Sequence, residues 1–410
     1  MDPITTALKK MYEEFPYPPS GAPEQRVGWD ARLLLSYGKL ARKKGGTLRV
    51  LDAGCGRGAG LLGAAMLQPD VEFLGIDING VALAEAKEQA TKRKLGNVRF
   101  QEVDLTTLEG LVVPEGGFDV VFSSGVVHHM PSPAAGLQKL REVLAPHGLL
   151  QLMVYASDGR APLYRVVRAL DLLLPRSVPL RDRLLVGRML VQSPKADALP
   201  VGPWTDVATV SDTEFVDRYL NVNETSYSVP QVWDLLEGAG LRFLRWSEPA
   251  DWNLEALLPP PLLELAQRLS ARDRGALVEQ LCWRPKLELV AAHEGNGPRA
   301  DETAASLGKA MLCVSPEVRF RTEVRNVLGG QRLEKLFLQI RGQAAIPIEG
   351  GPMATALVLA RDAEGTFTGA SFLDKLAKRG VPADVASEVL LELWRAEVLY
   401  APHAVDLPRG

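Results

Sequence analysis

Leu48-Arg-Val-Leu-Asp52-Ala-Gly54-Cys55-Gly56-Arg-Gly58 is the stretch whose reading decides the fold. Its first half is rich in aliphatic, strand-forming residues, and its second half places glycine at alternate positions, Gly54, Gly56 and Gly58. The pattern predicts a buried parallel strand over 48–53, a tight turn, and a helix from about residue 59. Glycine lets a backbone approach a ligand closely and adopt dihedrals closed to other residues. Asp52 ends the strand, at the edge where open α/β sheets bind ligands. The acid precedes the glycines, unlike the dinucleotide fingerprint G-x-G-x-x-G, which aims a helix N-terminus at a pyrophosphate. A carboxylate here suits a cationic ligand group, which argues against NAD and FAD.

Working outward, strands are predicted at 71–77, 98–103, 118–123 and 149–154, with helices at 59–66, 81–93 and 134–143. Apolar strands alternating with helices imply a parallel sheet covered on both faces. Residues 158–225 are too long for an ordinary crossover. They read as a helical cap, with helices at 162–174, 180–190 and 213–220 and a loop of small residues and prolines at 193–203. A helix at 229–239, a strand at 241–246, one helix near 262–281 and a strand at 286–293 complete the sheet within 226–293.

Ahead of the core, residues 1–47 hold Tyr12, Phe15, Pro16, Tyr17, Pro18, Pro19 and Trp29. The prolines forbid a continuing helix. The segment reads as an arm, either a lid over a pocket or a surface strap, followed by an amphipathic helix at 32–43. After a linker at 294–301, residues 304–410 form a second domain. Its helices at 370–379 and 382–397, the turn at Gly380 and a strand at 398–401 resemble a winged helix.

At 410 residues the chain has room for about two or three domains. The net charge of −3 and pI near 6.1 give no global sign of nucleic-acid binding. The second of the two winged-helix helices is acidic, with Asp384, Glu388, Glu392 and Glu397 against Arg395, so no DNA partner is expected. Cys55, Cys282 and Cys313 have neither metal-ligand spacing nor the density of a disulfide framework. With no signal peptide and no apolar run of membrane-spanning length, a cytoplasmic protein is expected.

Three further motifs stand at the same sheet edge as Asp52. Asp77 ends the second strand, where an acid accepts hydrogen bonds from both ribose hydroxyls, and Ile78 beside it offers a surface for adenine. Asp104-Leu105 ends the third strand, within reach of an adenine amino group. Ser123-Ser-Gly-Val-Val-His128-His129-Met130 follows the fourth. Adjacent positions on a helix start point about 100° apart, so the two histidines are poorly placed to share a metal ion. They remain candidates for structural, cofactor-contacting or general-base roles.

With these residues in this order, the sequence resembles the class I S-adenosylmethionine-dependent methyltransferases. The matching residues are Leu51 to Gly58, Gly75-Ile-Asp-Ile78, Asp104-Leu105, Phe118-Asp-Val-Val121 through His129, Arg141 to Gly148, and 228–243. The resemblance implies a seven-stranded, mostly parallel, doubly wound α/β sheet of order 3-2-1-4-5-7-6 with the last strand antiparallel. It implies S-adenosylmethionine as cofactor, S-adenosylhomocysteine as product, and no metal. It places Asp52 and Gly54 at the methionine part, Asp77 at the ribose, and Asp104 and Leu105 at the adenine. Cys55, Gly56, Gly58, Ile78 and Ser123 complete the expected cofactor set.

The catalytic candidates are His128, His129, Tyr17 and Tyr227, with Tyr12, Tyr155, Asn221, Asn223 and Glu224 nearby in the reading. The expected acceptor is a nucleophilic nitrogen or oxygen of a protein side chain. The alternatives are a metabolite enclosed by the cap, or a regulatory protein that binds the cofactor without catalysis. No Asn/Asp-Pro-Pro-Tyr/Phe motif follows the fourth strand, which disfavours amino-nitrogen methylation of nucleobases or glutamine. The domain arrangement resembles bacterial protein lysine methyltransferases acting on surface proteins. A homodimer through the cap or the C-terminal domain is the other partner expected.

Overall fold

A computed structural model describes residues 2–19, 47–193, 203–294, 304–315, 318–327, 330–340, 345–396 and 398–400. Trp29, the helix expected at 32–43, most of the loop at 193–203 and most of the linker at 294–301 lie outside the described residues. The described residues form two compact units, one from those of Met1–Trp29 and Thr47–Gly297, the other from those of Pro298–Gly410.

The first unit is built on a seven-stranded sheet of β1 (Leu48–Ala53), β2 (Val71–Asp77), β3 (Val98–Glu102), β4 (Phe118–Ser124), β5 (Leu144–Tyr155), β6 (Leu241–Trp246) and β7 (Lys286–His293). Their spatial order is β3-β2-β1-β4-β5-β7-β6. Six strands, β1–β6, run in one direction, and β7 alone is reversed, pairing antiparallel with both β5 and β6, as the family resemblance implies. The order reverses between β1 and β4, so their carboxyl ends open a crevice. β1 is apolar because both faces are covered: Val50, Leu51 and Ala53 are fully buried. Burial of Val50 and Leu51 contributes about 1.5–3 kcal/mol each relative to exposure.

Three local expectations are corrected. β5 begins at Leu144 rather than 149, because buried Leu144 pairs with Phe118 before the register shift that precedes Val120. The single helix expected at 262–281 is two, Pro260–Gln267 and Ala271–Leu281. The first ends at its C-cap Arg268, and Ser270 caps the second, its hydroxyl oxygen accepting the Asp273 N–H at 3.0 Å. The arm begins with a helix, α1 (Pro3–Glu14), started by the Asp2 carboxylate accepting the Ile4 N–H at 2.8 Å and by Pro3 in the first turn. The prolines end it and do not prevent it.

The cap comprises α2 (Ser157–Leu173), α3 (Leu180–Val191) and α4 (Asp212–Tyr219). Leu163, Val166, Leu170, Leu184, Phe215, Val216 and Tyr219 form its core together with Leu8 and Met11 of α1. The ends of the cap meet: the Tyr227 N–H donates to the Tyr155 carbonyl at 2.9 Å and the Ser157 N–H to the Tyr227 carbonyl at 2.9 Å.

α5 (Val229–Gly238) follows with a capping box, in which the Ser228 hydroxyl accepts the Gln231 N–H and the Gln231 side chain accepts the Ser228 N–H. Buried Glu279 accepts the Val229 N–H at 2.8 Å, and its other oxygen has no partner. Burial pushes the Glu279 carboxyl up to about 7 from 4.5, opposed by the Val229 N–H and reinforced by Asp158. A raised folded value means that the folded state holds the proton more tightly. Its stabilising contribution is therefore present below pH 4.5 and lost as pH rises through about 7. Glu279→Gln is expected to stabilise the protein by about 1 kcal/mol at pH 8 and by nothing at pH 4.5, a figure discounted for screening and for the lost charge at a helix start. Thermal melts at the two pH values check the sign.

In the second unit, β8 (Met311–Val314) is flanked antiparallel by β12 (Phe367–Thr368) and β13 (Leu399–Tyr400). A separate sheet joins β9 (Val318–Val327), β10 (Gly330–Ile340) and β11 (Ile346–Ile348). Helices Pro352–Arg361, Gly369–Ala377 and Ala383–Arg395 pack with β8 around Leu312, Leu357, Phe372, Leu376, Leu390 and Leu393. Among the described residues no helix is long and apolar enough to cross a membrane.

Candidate active site

The glycine turn after β1 is held by the strand beside it. The Gly54 and Cys55 N–H groups both donate to the Ile76 carbonyl, at 2.8 and 3.0 Å. The Gly56 N–H donates to Asp77 Oδ2 at 2.8 Å and the Asn79 N–H to Asp77 Oδ1 at 2.8 Å. Each carboxylate oxygen of Asp77 thus keeps lone-pair capacity for a ligand hydroxyl. Gly54 has φ +92°, and a Cβ built there would lie 2.2 Å from a Val126 methyl. The turn therefore passes in contact with the segment after β4, and a side chain has no room.

Asp52 is 4% exposed and borders Asp77. Burial, and then the Asp77 charge, push its carboxyl well up. Burial also raises Asp77, against the pull of the Asn79, Gly56 and Ile78 N–H groups. No lysine or arginine pairs with either among the described residues. Two neighbouring carboxylates, Asp52 buried and Asp77 partly buried, with no cation paired to them among the described residues, fit a ligand that carries positive charge and hydroxyls together. The ammonium, the sulfonium and the ribose of S-adenosylmethionine have that composition.

The remaining expected cofactor residues differ in what they present. The Cys55 thiol donates to the Gly56 carbonyl of the turn at 3.7 Å and lies 2.8 Å from the position a Gly75 Cβ would take; burial pushes it well up. Ile78 packs with the cluster of Leu8, Met11, Tyr12 and Phe15. Asp104 Oδ1 is occupied by the Thr106 N–H at 2.8 Å and the Thr106 hydroxyl at 2.6 Å. Leu105 belongs to the core of the sheet. Ser123 is fully buried with no partner for its hydroxyl.

The arm folds over the turn. A Gly56 Cβ would lie 2.7 Å from the Tyr17 carbonyl. Asn79, whose Oδ1 caps the helix Gly80–Lys92 by accepting the Val81 and Ala82 N–H groups, donates through Nδ2 to the Tyr12 carbonyl at 2.7 Å. Lys9 pairs with Glu102 at 2.5 Å. Asn79 thus ties the turn after β2 to the arm, a role that its place directly after Ile78 does not announce.

After β4, Val127–His129 forms a 3₁₀ turn. His129 Nδ1 contacts the Asn223 carbonyl at 2.8 Å, and Asn223 Nδ2 donates to the His129 and Met130 carbonyls at 2.9 and 3.0 Å. The Thr225 N–H donates to the His128 carbonyl at 2.8 Å. The cap segment 219–227 is therefore laced to the histidine pair, and Asn223 is a clamp. His128 is fully buried with neither ring nitrogen partnered, its ring 4.0 Å from that of Tyr155. Burial, then His129 and Arg160, hold its pKa well below the usual range.

Tyr227, half-buried, has its hydroxyl pushed by burial to about 12 and packs against the core of the sheet. Tyr17 remains 39% exposed. Burial and the Glu214 and Asp217 charges raise its hydroxyl as well.

Around these lies a network that the sequence hid. Asp217 of α4, 6% exposed, accepts the Tyr12 hydroxyl at 2.9 Å and the Tyr155 hydroxyl at 3.5 Å. Asn221 Nδ2 donates to the Tyr12 oxygen at 3.2 Å. Buried Arg160 stacks its guanidinium 3.6 Å from the centre of the Tyr155 ring and reaches Glu224 at 3.4 Å, which also accepts the Tyr164 hydroxyl at 2.6 Å. The arm, the end of β5, the segment after β4 and the cap all converge here.

A methyltransferase-domain family matches residues 44–162. The uncharacterised protein syc1184_c of Synechococcus sp. is 31% identical over 293 residues, covering 68% of this chain and 69% of its own. The probable methyltransferase ltbC of Aspergillus luteorubrus is 33% identical over 187 residues, 43% of this chain and 58% of ltbC. Among solved structures, PKMT2 from Rickettsia typhi in complex with AdoHcy superposes with a TM-score of 0.66 at 17% identity, covering 94% of this chain and 77% of PKMT2. At that identity the likeness is one of fold, and it extends beyond the sheet to nearly the whole chain. The sheet order, the unpaired acids under a glycine turn and the match over that turn lead to one conclusion: the chain belongs to the class I S-adenosylmethionine-dependent methyltransferases.

Proposed function

We propose that the protein transfers the methyl group of S-adenosylmethionine to a nucleophilic nitrogen or oxygen on a protein side chain. What supports this reading is the second unit: the described residues of Pro298–Gly410 form a compact body with its own core, while every group described at the active site comes from the first unit. A body outside the chemistry is suited to docking a macromolecule. In this reading Asp52 and the Gly54 backbone hold the methionine part. Asp77 takes the ribose, with Ile78 beside it, and Asp104 with the Leu105 backbone takes the adenine. The bound cofactor supplies an electrophilic methyl on a sulfonium. The chain's own work is to align the acceptor, exclude water and remove a proton. The arm and the laced cap segment are placed for the first two tasks.

A second reading, a metabolite as acceptor, draws on the same closure of arm and cap, since Asn79, Asn223 and Asp217 fasten them directly over the sheet edge. Methyl-labelled S-adenosylmethionine incubated with the full-length protein and a cell extract separates the two. Label precipitating with protein is expected. Label confined to small solutes would transfer the conclusion to the metabolite reading.

A further inference from the structure

Asp217 is a buried carboxylate for which no lysine or arginine forms an ion pair among the described residues. Arg160, a buried cation whose charge reaches Asp217, is committed to Glu224 and to the face of the Tyr155 ring. What faces Asp217 comes from every surrounding element: Tyr12 and Tyr17 from the arm, His129 after β4, Tyr155 at the end of β5, and Arg160, Asn221 and Glu224 within the cap. Arg160 apart, these groups offer oxygen acceptors and aromatic faces. A carboxylate left unpaired in such a setting is stabilised by a cation that brings its own N–H donors.

A second observation points the same way. His128 is fully buried, has no partner at either ring nitrogen and lies with its ring centre 4.0 Å from that of Tyr155, the planes tilted by 40°. A neutral imidazole offers one further acceptor at the same ring.

We propose that Asp217 is the acceptor-site carboxylate, which binds the ammonium of a primary amine, the lysine side chain in a protein, and takes one of its protons. This rests on the methyl-transfer reading above and narrows its acceptor. A carboxylate acceptor would set a second anion against Asp217. A neutral hydroxyl would leave the charge unpaired. An ammonium has three N–H donors for Asp217, a tyrosine oxygen and His128. An amine of ordinary pKa, about 10.4, is protonated at neutral pH and cannot attack. The Asp217 carboxylate takes one proton and frees the nitrogen lone pair. The new C–N bond forms as the methyl–sulfur bond breaks, with its electron pair remaining on sulfur. The product is a protonated secondary amine and a neutral thioether, and the proton on Asp217 passes to solvent, so one proton is released per methyl transferred.

The test has three arms on the full-length protein. Acid hydrolysis of extract protein labelled from methyl-labelled S-adenosylmethionine is expected to give N-methyllysine. Label released as methanol by mild base, which marks methyl esters, overturns the proposal. Label found only on small amines keeps Asp217 in its role and sinks the protein reading instead. Next, Asp217→Asn is expected to lose at least about 100-fold in labelling rate, with the calorimetric affinity for S-adenosylmethionine unchanged within about threefold. Tyr12→Phe, which leaves the carboxylate in place, is expected to lose only about tenfold. Equal losses in both, with lower melting temperature and weaker cofactor binding, would make Asp217 a strut for the tyrosines and overturn the assignment. Last, Nα-acetyl-lysine methylamide titrated into the protein without cofactor, followed by NMR, is expected to bind at least about tenfold more weakly to Asp217→Asn. The uncharged norleucine analogue is expected not to bind. Indistinguishable titrations of the two proteins also overturn it.

Discussion

Asp77→Ala is expected to weaken S-adenosylmethionine binding by about 100-fold or more in calorimetry. The side chain is asked to do two things at once. Its oxygens accept the Gly56 and Asn79 N–H groups, which shape the turn, and on the reading above they also accept the ribose hydroxyls. Hydrogen bonds to a charged group contribute about 1.5–3 kcal/mol each, and losing two with partial replacement by water gives roughly 3 kcal/mol. Asp77→Asn, which keeps one oxygen and no charge, is expected to fall between. Because burial raises both Asp77 and Asp52, affinity is also expected to decline on acidification at a higher pH than an exposed carboxylate would give. An Asp77→Ala protein that bound the cofactor within about threefold of the parent would refute this placement of the ribose.

Gly54→Ala is expected to destabilise the fold by about 3 kcal/mol. A non-glycine residue at φ +92° carries about 1–2 kcal/mol of backbone strain. The methyl group would also meet Val126 at 2.2, 2.8 and 3.0 Å, an overpacking of about 1–3 kcal/mol. In a unit of this size the melting temperature should fall by about 6–12 °C. The two contributions separate: Val126→Ala in the same chain removes the two methyl contacts at 2.2 and 2.8 Å and leaves the strain, so it should restore part of the loss and not all of it. A double variant no better than the single one would mean that crowding is not the cause.

Much of the fold was legible because local signals agreed with the tertiary outcome. The strand at 48–53, the acid-then-glycine turn and the acids after β2 and β3 each carry a local pattern, and a parallel sheet gathers strand ends at one edge. Elsewhere local signals compete. Pro16, Pro18 and Pro19 are the strongest local signal in the arm, although Asp2-Pro3 is a helix start. The break at Ser270 was hidden within a continuous leucine pattern. Asp217 could not be found from sequence. In Asp212–Tyr219 its neighbours Val216 and Arg218 give no sign that it is buried. Its partner Tyr12 is 205 residues away, and only the packing of α1 against the cap brings them together. Asn223 and Glu224 were visible as polar and concentrated, yet their use as a clamp and as a counter-charge for Arg160 depends on three-dimensional neighbours.

The meeting of the cap's two ends has a consequence for how this architecture can vary. The chain leaves the sheet after Tyr155 and returns at Tyr227, and Ala156 and Tyr227 form a bridge in parallel pairing. The excursion is therefore a side loop that opens and closes at one point. Strands β1–β7 keep the same neighbours whatever lies between those residues. Closure entropy grows only slowly with loop length, so exchanging this insert for a longer or shorter one would burden the sheet little. The bridge is thus a natural grafting point, at which lineages with a common donor-binding core could acquire different acceptor chambers without renegotiating the fold beneath them.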